Sequence, residues 1–247
     1  MSEFEPPQSR KPDSSKFREG KFTYHQEIEV EIASLTNLGE GVARVDGWVV
    51  FIAGALAGEK VVARIWHNAA NFSRADLVRV VVPSPHRVQP RCDLFGECGG
   101  CQYQHLDYAA QLRWKHRQIS ELFRRVGGFD PSVVQPVIPC PNPYHYRNRI
   151  LVRSQWNKPA RKLNLGFMRT DCGLVCDIES CAIAEPALNE AITQWRRNPP
   201  PKGGIKTVVA VSRDEDGVPL ANPPVLWDIE TDPRLAGTKL IAEAWGS

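Results

Sequence analysis

Apolar and acidic residues alternate in the stretch EIEVEIASL, residues 27–35. Period two predicts a β-strand with one buried face and one solvent face. Three further stretches favour strands, namely WVVFIAG, GEKVVARIW and SRADLVRVVV. Turn signals separate them, at Asn37, Gly39 and Gly41 and at the Asp46-Gly47 pair. Short strands with glycine-rich turns over residues 25–84 predict a small OB-like β-barrel.

A helix is predicted for residues 107–126, with the sequence DYAAQLRWKHRQISELFRRV. Asp107 is a suitable N-cap, and the Gly127-Gly128 pair ends the helix. The spacing i, i+3, i+4, i+7 predicts a core-facing stripe made of Ile119, Leu122, Phe123 and Val126. The other face is basic, which is typical of a solvated helix and also suits an anionic partner.

The rest of the chain alternates strand-like and helical stretches. YHYRNRILVRSQW, LNLGFMR, GLVCDIESC and IKTVVAVS favour strands, and EPALNEAITQWRR favours a short helix. Residues 85–247 are therefore predicted to form an α+β domain after the barrel. Residues 1–24 are rich in Pro, Ser, Lys and Glu, which predicts a flexible polar arm.

Three cysteines cluster in RCDLFGECGGCQYQH, residues 91–105. Cys92, Cys98 and Cys101 give the spacing C-x5-C-x2-C, and a four-thiolate site needs one more distant ligand. Such a set holds zinc or an iron–sulfur cluster; one complete C-x2-C knuckle instead of two favours the cluster. Cys140 lies among prolines, which leaves Cys172, Cys176 and Cys181 as candidates for the fourth ligand. Spacing alone leaves Cys176 and Cys181 both open.

Composition bounds the setting of this chemistry. The 247 residues carry a net charge of +3, which suits a nucleic-acid partner without requiring one. No apolar run approaches a membrane span and the N-terminus lacks the apolar core of a signal peptide, so a cytoplasmic location and no membrane partner are expected. Seven cysteines without an export signal favour metal binding or chemistry over disulfides.

Together these motifs resemble the bacterial uracil-C5 RNA methyltransferases. The resemblance rests on NLGEGVARVDGWVVFIAGALAGEKV, on CDLFGECGGCQYQHLDYAAQLRWK, and on YRNRI, LGF and VCDIESCAI, and it covers residues 25 to 215. It implies an RNA-binding TRAM barrel followed by a central domain with a [4Fe–4S] cluster. The ligands that the resemblance implies are Cys92, Cys98, Cys101 and Cys181, with Cys176 ranked second.

The resemblance also implies a C-terminal S-adenosylmethionine domain of the Rossmann type. Only 66 residues follow Cys181, by subtraction from 247, and they contain no cysteine nucleophile and no glycine-rich turn after a strand. We therefore expect the methyltransferase domain to be absent, with S-adenosylmethionine acting only through that missing domain. A truncated gene, a split gene completed by a separate chain, and an expressed fragment remain open.

Four functions compete at this stage. The first is the RNA-recognition portion of a uracil-C5 methyltransferase acting on rRNA or tRNA; the second is a free-standing iron–sulfur RNA-binding protein without a catalytic role. A radical S-adenosylmethionine enzyme and an electron-transfer protein fit the cysteine spacing and the basic scaffold less well. The expected RNA-binding cations are Arg44, Arg64, Arg74, Lys115, Arg147 and Arg149, with Tyr103 and Tyr146 as stacking platforms.

Overall fold

The computed structural model describes residues 17–170 and 173–198, together with the backbone of two further strands. Its contacts form two compact units. The first comprises the described residues up to Gly96 with Cys101–Cys140, and the second comprises Glu97–Gly100 with the described residues from Pro141 onward. This division differs from the predicted domain boundary at residue 84, because the helix after the cysteine loop belongs to the same unit as the first sheet.

The first unit contains a six-stranded sheet and one long helix. The strand order is β1-β5-β6-β4-β3-β2; β4 and β6 are parallel and the other neighbours are antiparallel. The elements are β1 (Glu27–Glu31), β2 (Ser34–Leu35), β3 (Glu40–Val45), β4 (Trp48–Ala53), β5 (Lys60–Asn68), β6 (Phe72–Val82) and α1 (Tyr108–Leu122).

One face of this sheet forms the core of the first unit. Val30, Ala43, Val50, Ile65 and Ala75 come from five different strands and share one buried cluster. Because these residues alternate with outward residues, the same strands expose a second face. The predicted alternation of β1 is confirmed, whereas the OB topology of the sheet stays a prediction.

The flexible arm predicted for residues 1–24 includes residues that are packed in the structure. Phe22 is buried in the core of the first sheet, and Phe17 packs against the same cluster. The amide of Asn68 donates to the carbonyl of Phe22 over 2.7 Å and to that of Arg18 over 3.2 Å. Residues 17–24 are thus part of the first unit, and residues 1–16 of the predicted arm lie outside the described residues.

Helix α1 begins as predicted and packs through a different face. The Asp107 carboxylate accepts from the Ala110 N–H over 2.7 Å, and a π-helical turn (Phe123–Gly127) leads to Gly128 at a φ of 67°. Ala110 is buried and Trp114 packs beside it against Leu35 and Leu56.

The predicted apolar stripe of this helix is wrong. Ile119, Leu122, Phe123 and Val126 are 45%, 53%, 40% and 79% exposed. The helix instead packs through the row that starts at Ala110 and Trp114, and Gln118 in the same row donates to the Thr36 carbonyl over 2.9 Å. A small residue at position 110 allows a close approach to the sheet, which the longer side chains of the stripe would prevent.

The second unit contains an antiparallel sheet of five strands in the order β11-β10-β7-β8-β9. A short helix, Pro186–Arg197, follows the strand Val175–Asp177. It buries Leu188, Ala191 and Ile192 at the spacing i, i+3, i+4. The elements are β7 (Arg149–Asn157), β8 (Lys162–Met168), β9 (Val175–Asp177), α2 (Pro186–Arg197), β10 (Lys206–Ala210) and β11 (Val225–Asp228).

A buried ion pair between Glu59 and Arg87 lies beside the segment that follows β6. Glu59 is 1% exposed and accepts from Arg87 over 2.6 and 2.7 Å. The Leu56 and Ser84 N–H groups donate to the same carboxylate over 2.8 and 3.2 Å. Arg87 also donates to the Gly54 carbonyl over 2.8 Å, so one guanidinium fixes the β4–β5 turn to the chain leaving β6.

His105 is a second buried polar group of this unit. It is 1% exposed and lies 5.0 Å from the Phe95 ring, and neither ring nitrogen has a hydrogen-bond partner among the described residues. Burial, and to a smaller extent the charge of Arg87, lowers the pKa of His105 to about 3. The imidazole is therefore neutral in the folded chain at neutral pH.

Removal of the buried guanidinium should destabilise the fold strongly. We predict that Arg87→Ala lowers the free energy of unfolding by about 3–5 kcal/mol, because Glu59 keeps a buried charge without its partner. The control is Arg64→Ala, which removes an exposed pair with Glu27 and should change stability by about 1 kcal/mol or less. Urea unfolding followed by tryptophan fluorescence measures both; equal losses would contradict the role of the buried pair.

Stability should also depend on pH through His105. The unfolded imidazole binds a proton below its ordinary pKa of 6.5, and the folded one only near 3. The His105 contribution is thus complete above pH 6.5 and is lost as the pH falls toward 3, by about 1.4 kcal/mol per pH unit. Between pH 6.5 and about 5, His105→Gln should flatten this slope and His67→Gln should retain it. An unchanged slope in His105→Gln would show that another group titrates.

Candidate nucleic-acid interface

The outward face of β4, β5 and β6 carries a cluster of aromatic rings around one arginine. The Phe51 and Phe72 rings meet edge to face at 5.3 Å, and the His67 ring lies 6.4 Å from Phe72. The Arg74 guanidinium lies 5.7 Å from the Phe51 ring and 5.9 Å from the Phe72 ring. We call Phe51, His67, Phe72 and Arg74 the aromatic face; all four side chains are partly exposed.

The strand register places these residues side by side. In the parallel β4–β6 pair, Phe51 is opposite Arg74, and the buried Val50 and Ile52 flank Phe51 along the strand. On β6, the buried Ser73 and Ala75 likewise flank Arg74. The alternation of WVVFIAG and FSRADL therefore accounts for the outward position of Phe51, Phe72 and Arg74. The sequence prediction named two tyrosines as stacking platforms and did not include the two phenylalanines.

Arg74 lies within this face and already has an anionic partner. Its guanidinium pairs with Glu40 on β3 as well as contacting the two rings. The pairing fixes the guanidinium plane beside the phenylalanines. A fixed cation among aromatic rings suits a base that stacks and a phosphate that follows it.

The other cations expected in the first unit differ in their availability. Arg44 on β3 is exposed, and its guanidinium donates a long hydrogen bond of 3.4 Å to the Gly47 carbonyl. Arg64 pairs with Glu27 over 2.8 Å, so the glutamates of β1 neutralise this edge of the sheet. Lys115 is exposed on α1, where Arg113 and Arg117 are also exposed. Arg44 and Lys115 thus remain the most available of the predicted contacts in this unit.

Two predicted cations lie in the second unit, at the start of β7. Arg149 is the first residue of the strand and is exposed. Arg147 precedes the strand and is held by its backbone, since its N–H donates to the Ile183 carbonyl over 2.8 Å and its carbonyl accepts from Glu185 over 3.0 Å. The strand β7 therefore begins later than the strand-like stretch predicted from Tyr144, and alternation within one strand does not relate these two arginines.

The predicted stacking tyrosines differ in exposure. Tyr103 donates its hydroxyl to the Thr36 carbonyl over 3.0 Å and packs against the cluster of Leu35 and Leu56. Tyr146 is 51% exposed. Tyr103 is therefore a packing residue of the first unit, and Tyr146 is available for stacking.

The cysteine loop is held by backbone and amide hydrogen bonds. The Gln104 side chain accepts from the Cys92 N–H over 3.2 Å and donates to the Cys101 sulfur over 3.2 Å. The Cys98 sulfur accepts from the Gly100 N–H over 3.4 Å. Donors aimed at sulfur favour the thiolate form that a metal needs. A Cβ on Gly99 would lie 3.0 Å from the Met168 carbonyl, which explains a glycine there.

The candidates for the distant ligand are now placed. Cys181 follows β9 at a turn, as predicted, and Asn189 of α2 holds its backbone through bonds of 2.8 and 3.2 Å. Cys176 is buried within β9, and burial, then Glu97 and Cys98, raise the pKa of its thiol to about 12. Cys140 is exposed, and Cys172 lies outside the described residues.

The described side chains do not assemble a metal centre. Within residues 17–170 and 173–198, no group of three or more His, Cys, Asp or Glu side chains could hold a metal ion. The folded geometry therefore does not show the fit of the four cysteines to a cluster. In the same part of the chain, no helix is both long and apolar enough to cross a membrane.

Comparison with known proteins identifies the first sheet. A family model described as the TRAM domain matches residues 21–78. The chain is 38% identical over 168 residues to the 23S rRNA (uracil(1939)-C(5))-methyltransferase RlmD of Thiobacillus denitrificans, covering 68% of this chain and 38% of that protein. It is 30% identical over 213 residues to RlmD of Vibrio vulnificus, covering 84% and 46%.

A solved structure gives the same picture of the fold. The crystal structure of Pyrococcus abyssi tRNA (uracil-54, C5)-methyltransferase in complex with S-adenosyl-L-homocysteine is similar with a TM-score of 0.52 and 23% identity. The similarity covers 74% of this chain and 42% of that one. The chain thus contains a TRAM domain, is homologous to uracil-C5 RNA methyltransferases, and spans less than half the length of these relatives.

These matches correct the predicted fold class. The expectation that the Rossmann-like methyltransferase domain is absent is wrong, because the structural neighbour is a methyltransferase with a bound cofactor product and the homologous relatives cover most of this chain. That expectation counted the residues after Cys181, and such a count does not determine the fold to which a chain belongs. A separate chain that carries the methyltransferase domain has no support from these matches.

Proposed function

We propose that this protein acts in S-adenosylmethionine-dependent methylation of uracil C5 in rRNA or tRNA, and that its TRAM domain binds the RNA through the aromatic face. The observation that carries the proposal is the placement of Phe51, Phe72 and Arg74 on the outward side of the sheet. The homology to uracil-C5 RNA methyltransferases supports the reaction class. The similar solved structure, which contains S-adenosyl-L-homocysteine, supports the cofactor.

Single-stranded RNA fits this surface better than a duplex does. Partly exposed rings accept unstacked bases irrespective of sequence, and neighbouring cations follow the backbone. Arg44 supplies an exposed cation on β3, next to β4 in the sheet. The β1–β5 edge is less suitable, because Glu27 and Glu29 face outward there and pair with Arg64 and Lys60.

The aromatic face gives a direct test of RNA binding. We predict that Phe51→Leu and Phe72→Leu each weaken binding of a uridine-containing single strand by roughly fivefold or more, because leucine keeps the apolar volume and loses the stacking surface. The control is Phe129→Ala, which removes a 60% exposed ring elsewhere in the first unit and should leave affinity unchanged. Filter binding measures all three, and equal affinities in all variants would exclude the aromatic face.

The same assay separates the reaction from binding. A salt series on the unaltered chain should give a slope of log K against log salt near −3 to −4 if roughly five phosphates are neutralised. Methyl incorporation from labelled S-adenosylmethionine into the RNA would establish the enzyme. Binding without incorporation would favour the second candidate, an RNA-binding protein with no catalytic role, and no binding would refute the proposal.

The metal assignment stays a prediction from spacing and resemblance, with Cys92, Cys98, Cys101 and Cys181 as ligands of a [4Fe–4S] cluster. Hydrogen bonds to the sulfurs of Cys98 and Cys101 support thiolate character at two of these positions. We expect protein purified without oxygen to contain iron and sulfide, and serine at any of the four positions to abolish both. The control is Cys140→Ser, an exposed cysteine. Stoichiometric zinc without sulfide would contradict the cluster.

A further inference from the structure

A polar cleft of about 510 Å³ lies beside the β7–β8 hairpin, within the second unit. Amide and cationic side chains line much of it, including Gln155, Asn157, Asn164, Lys158, Lys162 and Arg169. The hairpin register explains why these residues share one face, since Gln155 is opposite Asn164 and Asn157 is opposite Lys162. Neither the aromatic face nor the cysteine loop accounts for this group of amides.

The three amides are held in fixed orientations by the backbone. Gln155 Oε1 accepts from the Val175 N–H over 2.8 Å, and Asn164 Nδ2 donates to the Val175 carbonyl over 3.0 Å. The two facing amides thus both hydrogen-bond to the backbone of Val175 in β9. Asn157 Oδ1 accepts from the Ala160 N–H over 3.2 Å in the hairpin turn. These bonds determine which end of each amide remains for another partner.

The remaining groups form a defined set. Gln155 keeps its Nε2 donor and Asn157 its Nδ2 donor, neither of which has a partner among the described residues. Asn164 Oδ1 is enclosed by protein atoms, so Asn164 shapes the cleft and leaves the two outward donors to a ligand. A ligand that offers two acceptors would therefore satisfy both amide donors.

The charges around the amides are largely compensated. Lys162 pairs with Asp177 over 2.9 Å, and Arg169 pairs with Glu97. Although burial opposes it, hydrogen bonds from Arg196, the Leu165 N–H and Lys162 hold the pKa of Asp177 at about 2, so this carboxylate is ionised. Lys158 is exposed at the hairpin turn. The cleft therefore suits an uncharged polar group attached to one anionic group.

We infer that the cleft of Gln155, Asn157 and Asn164 binds an unpaired pyrimidine base of the RNA, with Lys158 near its phosphate; this inference rests on the proposed RNA-binding function. Uracil and cytosine each present two acceptors on the Watson–Crick edge, which complement the two amide donors of Gln155 and Asn157. Guanine and adenine each present one acceptor on that edge, so they leave one amide donor unsatisfied. The cleft would thus select bases, whereas the aromatic face accepts any base.

Two isosteric substitutions test the inference. Gln155→Glu and Asn157→Asp retain the acceptors that hold Val175 and Ala160 and replace the outward donors with acceptors. The matched control is Gln194→Glu, which makes the same charge change at an exposed position on α2. Fluorescence anisotropy with short oligouridylate, oligocytidylate and oligoadenylate measures affinity, and urea unfolding confirms that each variant is folded.

We expect each cleft variant to bind oligouridylate and oligocytidylate roughly tenfold more weakly, and oligoadenylate no more weakly than the control does. The control should weaken all three RNAs equally, and high salt should remove that effect. If the cleft variants also weaken all three RNAs equally, the cleft does not read bases and only this inference fails. If the unaltered chain binds none of the RNAs, the proposed function fails as well. Should Gln155→Glu unfold, Asn157→Asp decides the question.

Discussion

The first unit depends on the burial of one carboxylate. Glu59 has almost no exposed surface, and Arg87, the Leu56 N–H and the Ser84 N–H together satisfy it. A buried charge with a complete set of partners is tolerated, and the loss of one partner leaves it uncompensated. The pair joins the β4–β5 turn to the segment that leads from β6 toward the cysteine loop. The sheet can therefore expose its aromatic face while its ends remain fixed.

In the first sheet, side chains alternate between the buried core and the outward face that is the candidate RNA surface. Val50 and Ile52 fill the core, and Phe51 between them faces outward; on β6, Ser73 and Ala75 are buried and Arg74 faces outward. Because a strand places successive side chains on opposite faces, core packing and the candidate RNA surface are specified by interleaved positions. A one-residue slip of β6 against β4 would remove both at once.

Local features of the fold were predictable from the sequence. Alternating glutamates indicated β1, Asp107 indicated the start of α1, and the Gly127-Gly128 pair indicated its end. Features that depend on distant partners were not. The stripe of Ile119, Leu122 and Val126 has helical spacing, yet the sheet accepts the side that carries Ala110 instead.

The candidate sites follow the same rule. Arg64 and Arg74 look like free cations in the sequence, and only the strand pairing brings Glu27 and Glu40 to them. Likewise, Gln155 and Asn164 look like ordinary outward residues, and only the hairpin register and the position of Val175 turn them into oriented amides. Tertiary pairing thus decides which polar residues remain available to a ligand.

The central claim is that RNA lies on the outward face of β4–β6 in the TRAM domain, and cross-linking tests it most directly. RNA containing 4-thiouridine would be bound to the full chain, irradiated, and the modified residues identified by mass spectrometry. The account predicts adducts on Phe51, Phe72 and their neighbours on β4 and β6. Adducts confined to the β1–β5 edge, where Glu27 and Glu29 pair with Arg64 and Lys60, would contradict it.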